Sequence, residues 1–460
     1  MYPQSPSPIR NRILAWLGLG LLFFMPYATF ILQAVRHGAD FLNVSFNGAL
    51  DLVTKSWKEL ILGILVLCVL GYILRHRNLP FRMHAMDWLI VLFMAYGVLV
   101  GGTIIHSSED VIFGFRYDFA VFAFYFVARS FWSDAVALLR LLRTLNLAAL
   151  PLLLFGVLQV FLLPRTFLEH FGYSNVVQVG GNPLPPFHLI GDNLVRAMST
   201  FPGPNSLAMY AAFLLLASLF FGRRWFPRRW WIADLALISI VLLTTYSRAH
   251  LLSVLAGAAV YVLLRSHALQ RNVQRLRAII LTFVFCVIVA GLLLSIVPVA
   301  NTGSGSTLQA LLFHNSSSVL HRNARLDGWE RIRAHPWGTG LGSVGLATLN
   351  TGRYVRNPES WYVQVTQEFG WPGLVLALVA IGSVLTWLVT QYATQRDDLR
   401  RFAAFFLVSF TAVVVSAQFL PSWFEVGSIT WWVLFGLYVS AVDRESISSS
   451  ARILRDQSTA

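Results

Sequence analysis

AIILTFVFCVIVAGLLLSIVPVA, residues 278–300, and WPGLVLALVAIGSVLTWLVTQY, residues 371–392, decide the fold. Both runs lack any charged residue, and both are long enough for the roughly 20 apolar residues that a helix needs to cross a bilayer. Between them lies a polar stretch, 301–370, with Arg322, Arg325, Arg331, Arg333, Arg353 and Arg356.

Working outward, comparable apolar runs recur at 13–34, 59–74, 87–105, 111–129, 144–163, 205–222, 230–246, 249–264, 402–421 and 427–442. The chain is 56% hydrophobic and 12% charged, with mean hydropathy +0.64. A soluble domain carries about 25% charged residues, so that class is excluded. The expected fold is an all-α polytopic membrane protein of about 12 transmembrane helices with one large outer loop. Net charge is +14, but the basic residues sit in small loop clusters, which argues against nucleic acid as a partner. Lys55 and Lys58 are the only lysines. Cys68 and Cys286 fall inside apolar runs and predict no disulfide framework. Arg10 and Arg12 precede a first run too long for a cleaved signal, so 13–34 reads as a retained span.

Basic residues mark the cytoplasmic side of a membrane protein. With the amino terminus inside, clusters such as Arg75/Arg77/Arg82, Arg223/Arg224/Arg228/Arg229 and Arg396/Arg400/Arg401 all fall inside. Both termini are then cytoplasmic, and the six arginines of 301–370 face outside, where arginine is scarce. Such charges need a partner, and an anion is the natural one. Arg196 and Arg248 are expected at the same face, at the ends of apolar runs. Guanidinium forks match phosphate oxygens with paired hydrogen bonds.

Within the loop, Arg325–Ala334 predicts a short amphipathic helix with Leu326, Trp329 and Ile332 on one face, lying at the membrane interface and stopped by Pro336. Asn357-Pro358-Glu359 predicts a second helix start, with Asn357 as N-cap and the helix running to about Phe369 before Gly370 and Pro372 break it. That places Glu359 in the positive field of a helix terminus, as a candidate general base. Tyr362 and Thr366 share its helical face and are expected to meet substrate, while Glu368 reads as a tie to a neighbouring arginine. The Gly340–Gly345 stretch matches G-x-G-x-x-G but lacks the βαβ context a dinucleotide site requires, and reads as a flexible turn. No histidine spacing suggests a metal site, and no metal or other cofactor is expected. The Pro- and Gly-rich segment 164–204 is a second long outer connection, and the tail from Asp443 onward reads as disordered.

The ordered set R-x-x-S-T-F-x-x-P-N (Arg196–Asn205), T-Y-S-R (Thr245–Arg248), R-x-x-x-W…P-x-G-x-G (Arg325–Gly340) and E-x-G-x-x-G (Glu368–Gly373) resembles bacterial O-antigen ligases and the related O-antigen and exopolysaccharide polymerases. The resemblance covers about residues 195–440. It divides the chain into amino-terminal helices (1–195), a ligase/polymerase-like region (196–442) and a cytoplasmic tail (443–460). It implies a GT-C-like, metal-independent inverting glycosyltransferase of the bacterial inner membrane. The donor would be a glycan on undecaprenyl diphosphate, held by Arg196, Arg248 and Arg325, with Arg322, Asn205 and Tyr362 as further contacts. Other polysaccharide assembly and export proteins would be its partners. Ligases of this family carry a histidine in a pattern like H-N-x-Y-L, whereas Glu359 stands at that place here. A polymerase is therefore expected ahead of a ligase acting on lipid A core. A transporter or flippase of an anionic lipid or solute stays open as the alternative of another class.

Overall fold

The computed structural model describes residues 12–41, 48–104, 108–131, 133–179, 182–190, 194–266, 270–296, 316–350, 355, 357–420 and 426–458. Every apolar run of the sequence becomes a helix. They are α1 (Arg12–Phe41), α2 (Gly48–His76), α3 (Ala85–Ile104), α4 (Ser108–Gly114) running through a π-turn (Phe115–Phe119) into α5 (Ala120–Arg129), and α6 (Ala135–Phe161). After α6 come two antiparallel hairpins, β1 (Ser174–Val179) with β2 (Asn182–Leu184) and β3 (His188–Ile190) with β4 (Leu194–Arg196). There follow α7 (Pro204–Trp225), α8 (Arg228–Thr244), α9 (Arg248–Arg265), α10 (Val273–Ile296), α11 (Ser316–Ala334), α12 (Leu346–Asn350), α13 (Trp361–Thr394), α14 (Asp397–Ser416) and α15 (Val426–Ser458).

Among the described residues, ten helices are long and apolar enough to cross a membrane, with α4, the π-turn and α5 counting as one. The protein is thus an all-α, multi-pass membrane protein. The two remaining expected spans are helices as well, α3 of 20 residues and α8 of 17. The central packing pairs are α9 with α14, α5 with α15 and α3 with α13. Their interior is aromatic: Phe406, Phe410, Trp431 and Phe435 stack on one another between α14 and α15.

One end of the bundle is tied by a buried ion network. Arg129, at the end of α5, has 0% side-chain exposure and pairs with both Asp87 of α3 and Asp443 of α15, the latter at 2.8 Å. Tyr125 Oη donates to Asp87 Oδ1 at 2.6 Å, and His84 Nε2 lies 2.8 Å from Asp443 Oδ1. This corrects the reading of the tail as disordered. α15 continues from the last span to Ser458, and Asp443 within it serves as a counter-charge to Arg129. Next to it, Arg444 donates to the Ser133 carbonyl at 2.8 Å.

The polar loop is more structured than a flexible turn. α11 is longer than the sequence suggests, beginning at Ser316. It does not float at an interface, since Trp329 and Ile332 are buried against Val363 of α13. Residues 336–340 cap the first turns of α13 from the side: Thr339 N–H donates to the Gln367 carbonyl and Gly340 N–H to the Glu368 carbonyl, each at 2.8 Å. Those carbonyls need partners because Gly370 (φ 68°, ψ −172°) breaks α13 there, as expected from the sequence. Gly342 has φ +78°, and a Cβ on it would stand 2.0 Å from the Asp110 carbonyl oxygen. The glycines of the G-x-G-x-x-G stretch therefore let the loop backbone press onto α4. A Gly342→Ala substitution is expected to cost at least about 1–3 kcal/mol from left-handed strain alone. Thermal unfolding of the purified protein reads this, and an unchanged midpoint would contradict the packing described.

Candidate functional site

Arg196 ends β4 and is positioned by the element that follows the hairpin. Its Nε donates to the Thr245 carbonyl at 2.8 Å and its Nη2 to Asn205 Oδ1 at 3.1 Å. The neighbouring Ala197 N–H donates to the Thr244 carbonyl at 2.9 Å, so β4 is stitched to the end of α8. Both acceptors of Arg196 are neutral. Burial, and then the nearby Arg248 guanidinium, push Arg196 down from the ordinary arginine range to about 10. It stays charged at neutral pH, and two like charges within electrostatic reach set up a site for an anion. Asn205 thus orients an arginine.

The rest of the Arg196–Asn205 motif is structural. Ser199 adopts φ 52°, a left-handed conformation that costs a non-glycine residue about 1–2 kcal/mol. It is held there because Gln159 Oε1 accepts from both Met198 N–H (3.0 Å) and Ser199 N–H (2.8 Å), while Ser199 Oγ donates to the Leu152 carbonyl at 2.6 Å. Thr200 Oγ1 donates to the Pro26 carbonyl at 2.7 Å, and Phe201 packs against Tyr210. Gln159, Leu152 and Pro26 are far away in sequence, which is why these anchors are not visible there.

Arg248 opens α9 through an equally strained turn. Tyr246 has φ 52°, and Ser247 occupies the cap position without capping, since its hydroxyl meets His250 Nδ1 at 2.8 Å.

Arg325 and Glu359 lie within electrostatic reach of each other. Burial holds the Arg325 guanidinium below its usual range, opposed by the charge of the Glu359 carboxylate. Arg325 Nε is sealed without an acceptor among the described residues. Glu359 differs from the expected helix residue. α13 begins only at Trp361, with Ser360 extended at the cap position. Glu359 precedes it with φ 56°, in a turn where Asn357 Oδ1 accepts the Glu359 N–H at 3.0 Å. Asn357 therefore caps a turn rather than the helix, and the partly exposed Glu359 stands at the rim of the bundle. Of the five non-glycine residues with positive φ among the described residues, Ser199 and Tyr246 lie close to expected site residues and Glu359 is one. Strain of that kind gathers where a surrounding structure holds functional groups in place.

Elements that carry both groups touch the end of α14. His250, two residues past Arg248, lines one cavity with Ser416. The next residue, Ala417, accepts the Trp361 N–H at 2.9 Å, two residues past Glu359.

Other expectations change. Tyr362 is fully buried, and its hydroxyl donates to the Val414 carbonyl at 2.9 Å; Thr366 donates to the Tyr362 carbonyl. Both side chains are buried, with the Tyr362 hydroxyl packed on α14 and the Thr366 hydroxyl turned to its own helix. Tyr362→Phe is expected to leave transfer within about twofold while costing about 1 kcal/mol of stability. Activity and melting measured on the same preparation check this. Glu368 meets the Asp118 carboxyl and the Val344 N–H (3.2 Å), with no arginine beside it among the described residues. Asp118 also accepts from Gln364 Nε2 at 3.0 Å, and Arg116 pairs with Glu59 at 2.8 Å, so the charged group of the fourth span pairs internally. Arg322 lies on α11, its side chain outside what is described, as are Arg353 and Arg356. Among the described residues no cluster of His, Cys, Asp or Glu could hold a metal ion.

Residues 233–378 match the family model described as O-antigen ligase. The match takes in Arg248, Arg325 and Glu359 and leaves out Arg196. No curated protein matches the chain. Residues 233–378 are thus similar to the O-antigen ligase family, the one that the motifs resemble.

Proposed function

We propose that this multi-pass protein, with its O-antigen ligase-type region, transfers a glycan from undecaprenyl diphosphate to a sugar hydroxyl at the periplasmic face of a bacterial inner membrane. The observation that carries the reading is one carboxylate, Glu359, fixed in a strained turn within electrostatic reach of Arg325, in a chain where Arg196 and Arg248 also feel each other's charge. Glu359 accepts the proton of the acceptor hydroxyl. The hydroxyl oxygen forms the new bond to the anomeric carbon, and the bond from that carbon to the diphosphate oxygen breaks. The electron pair leaves with undecaprenyl diphosphate, whose developing charge the arginines neutralise. Attack opposite the leaving group inverts the anomeric centre. No metal is needed for this step, since guanidinium groups supply the charge. Because Glu359 stands where ligases carry histidine, the acceptor is taken to be a second lipid-linked glycan, making the protein a polysaccharide polymerase.

The test is reconstitution of the purified chain in liposomes with an undecaprenyl-diphosphate-linked oligosaccharide as the sole glycan. Release of undecaprenyl diphosphate together with a lengthened, inverted product is expected. Release only after lipid A core is added means a ligase. Passage of intact donor across the bilayer without release would favour a transporter and end the proposal.

A further inference from the structure

His188 lies outside every motif of the sequence and outside the matched family region. In the β3–β4 hairpin it is the direct cross-strand partner of Arg196. In an antiparallel pair such partners have neighbouring side chains on one face of the ribbon. Its Nε2 is closed to solvent and has no hydrogen-bond partner among the described residues. That atom faces Gly203, ahead of α7, where even an added Cβ would reach only to 3.8 Å from it. A sealed polar nitrogen without a partner is rare in a native structure and asks for an explanation.

We propose that His188 is a further contact for the donor's diphosphate, giving an Nε2–H to a phosphate oxygen that Arg196 also holds. The inference rests on the reading of Arg196 and Arg248 as an anion site and adds a residue to it. Geometry comes first: the imidazole is the cross-strand neighbour of Arg196, and its nitrogen is sealed from water facing Gly203. Charge agrees. Burial, and then the Arg196 guanidinium, bring His188 down to about 4, so the ring is neutral at neutral pH. A neutral donor adds a hydrogen bond without a third positive charge beside two that already repel. When the site is empty the nitrogen has no acceptor, and an arriving phosphate oxygen supplies one.

The experiment uses the full chain purified in nanodiscs, with inorganic pyrophosphate titrated by calorimetry and melting recorded in parallel. His188→Phe keeps the ring volume but has no donor, and should weaken binding roughly 10–100-fold, the range for a hydrogen bond to a charged group. His188→Gln restores an N–H and should recover most of the affinity. The proposal is overturned if His188→Phe binds pyrophosphate as the wild type does. It is equally overturned if the phenylalanine and glutamine variants are both weak, because the role would then be structural. Arg196→Ala separates the two layers of the argument. If it abolishes binding while His188→Phe changes nothing, only the histidine's role fails; if it too leaves binding unchanged, the anion site itself is wrong.

Discussion

Glu359→Gln is expected to lower glycan transfer about 10²–10⁴-fold, the usual contribution of a positioned general base. Glutamine has the shape of glutamate but cannot take the acceptor's proton, and it bears the same left-handed backbone strain at φ 56°. Folding and donor binding should therefore be unchanged, so the loss falls on turnover. A companion variant sharpens the point. Glu359→Gly removes both the carboxylate and the strain, since glycine adopts positive φ freely. It should abolish transfer without lowering the melting midpoint. Loss of function at unimpaired stability marks a residue held against its preference for chemistry. Full-length polymer in cells carrying only Glu359→Gln would remove this residue as the base.

Arg129→Leu is expected to destabilise the protein by about 3–5 kcal/mol, because it leaves two carboxylates without their cation. Asp87 is then the worst placed, being fully buried with Tyr125 and the His84 N–H as its remaining donors. The outcome to look for is a steep fall in the melting midpoint or in the yield of monodisperse protein. Removing the second charge as well, in Arg129→Leu with Asp87→Leu, should recover part of the loss, since an apolar pair needs no compensation. A single Arg129→Leu variant as stable as the wild type would mean that the network does not hold α3, α5 and α15 together. Neither variant touches the arginines at the other end, so surviving protein should still bind pyrophosphate.

Charge placement carried most of what the sequence showed about the site. Arg196, Arg248, Arg325 and Glu359 stand out in a chain with 12% charged residues, because a charge near apolar runs is costly and needs a reason. The same reasoning failed for Tyr362. Helical spacing assigns it a face but not what covers that face, and α14 covers it. Asp443 was misread for a related cause, because a short polar tail looks solvated until its partner across the bundle is known. His188 gave no signal at all, since only the register of a hairpin sets it beside Arg196.

The order of the apolar spans, and so the membrane character of the fold, follows from apolar runs alone, since each run satisfies its backbone within itself and needs no distant partner. Everything that depends on a partner far along the chain was decided by tertiary structure. That includes the strained turns at Ser199 and Glu359, the capping of α13 by residues 336–340, and the contacts of α9 and α13 with the end of α14. Local sequence prices the cost of such conformations, but only packed neighbours such as Gln159 and Ala417 supply what holds them.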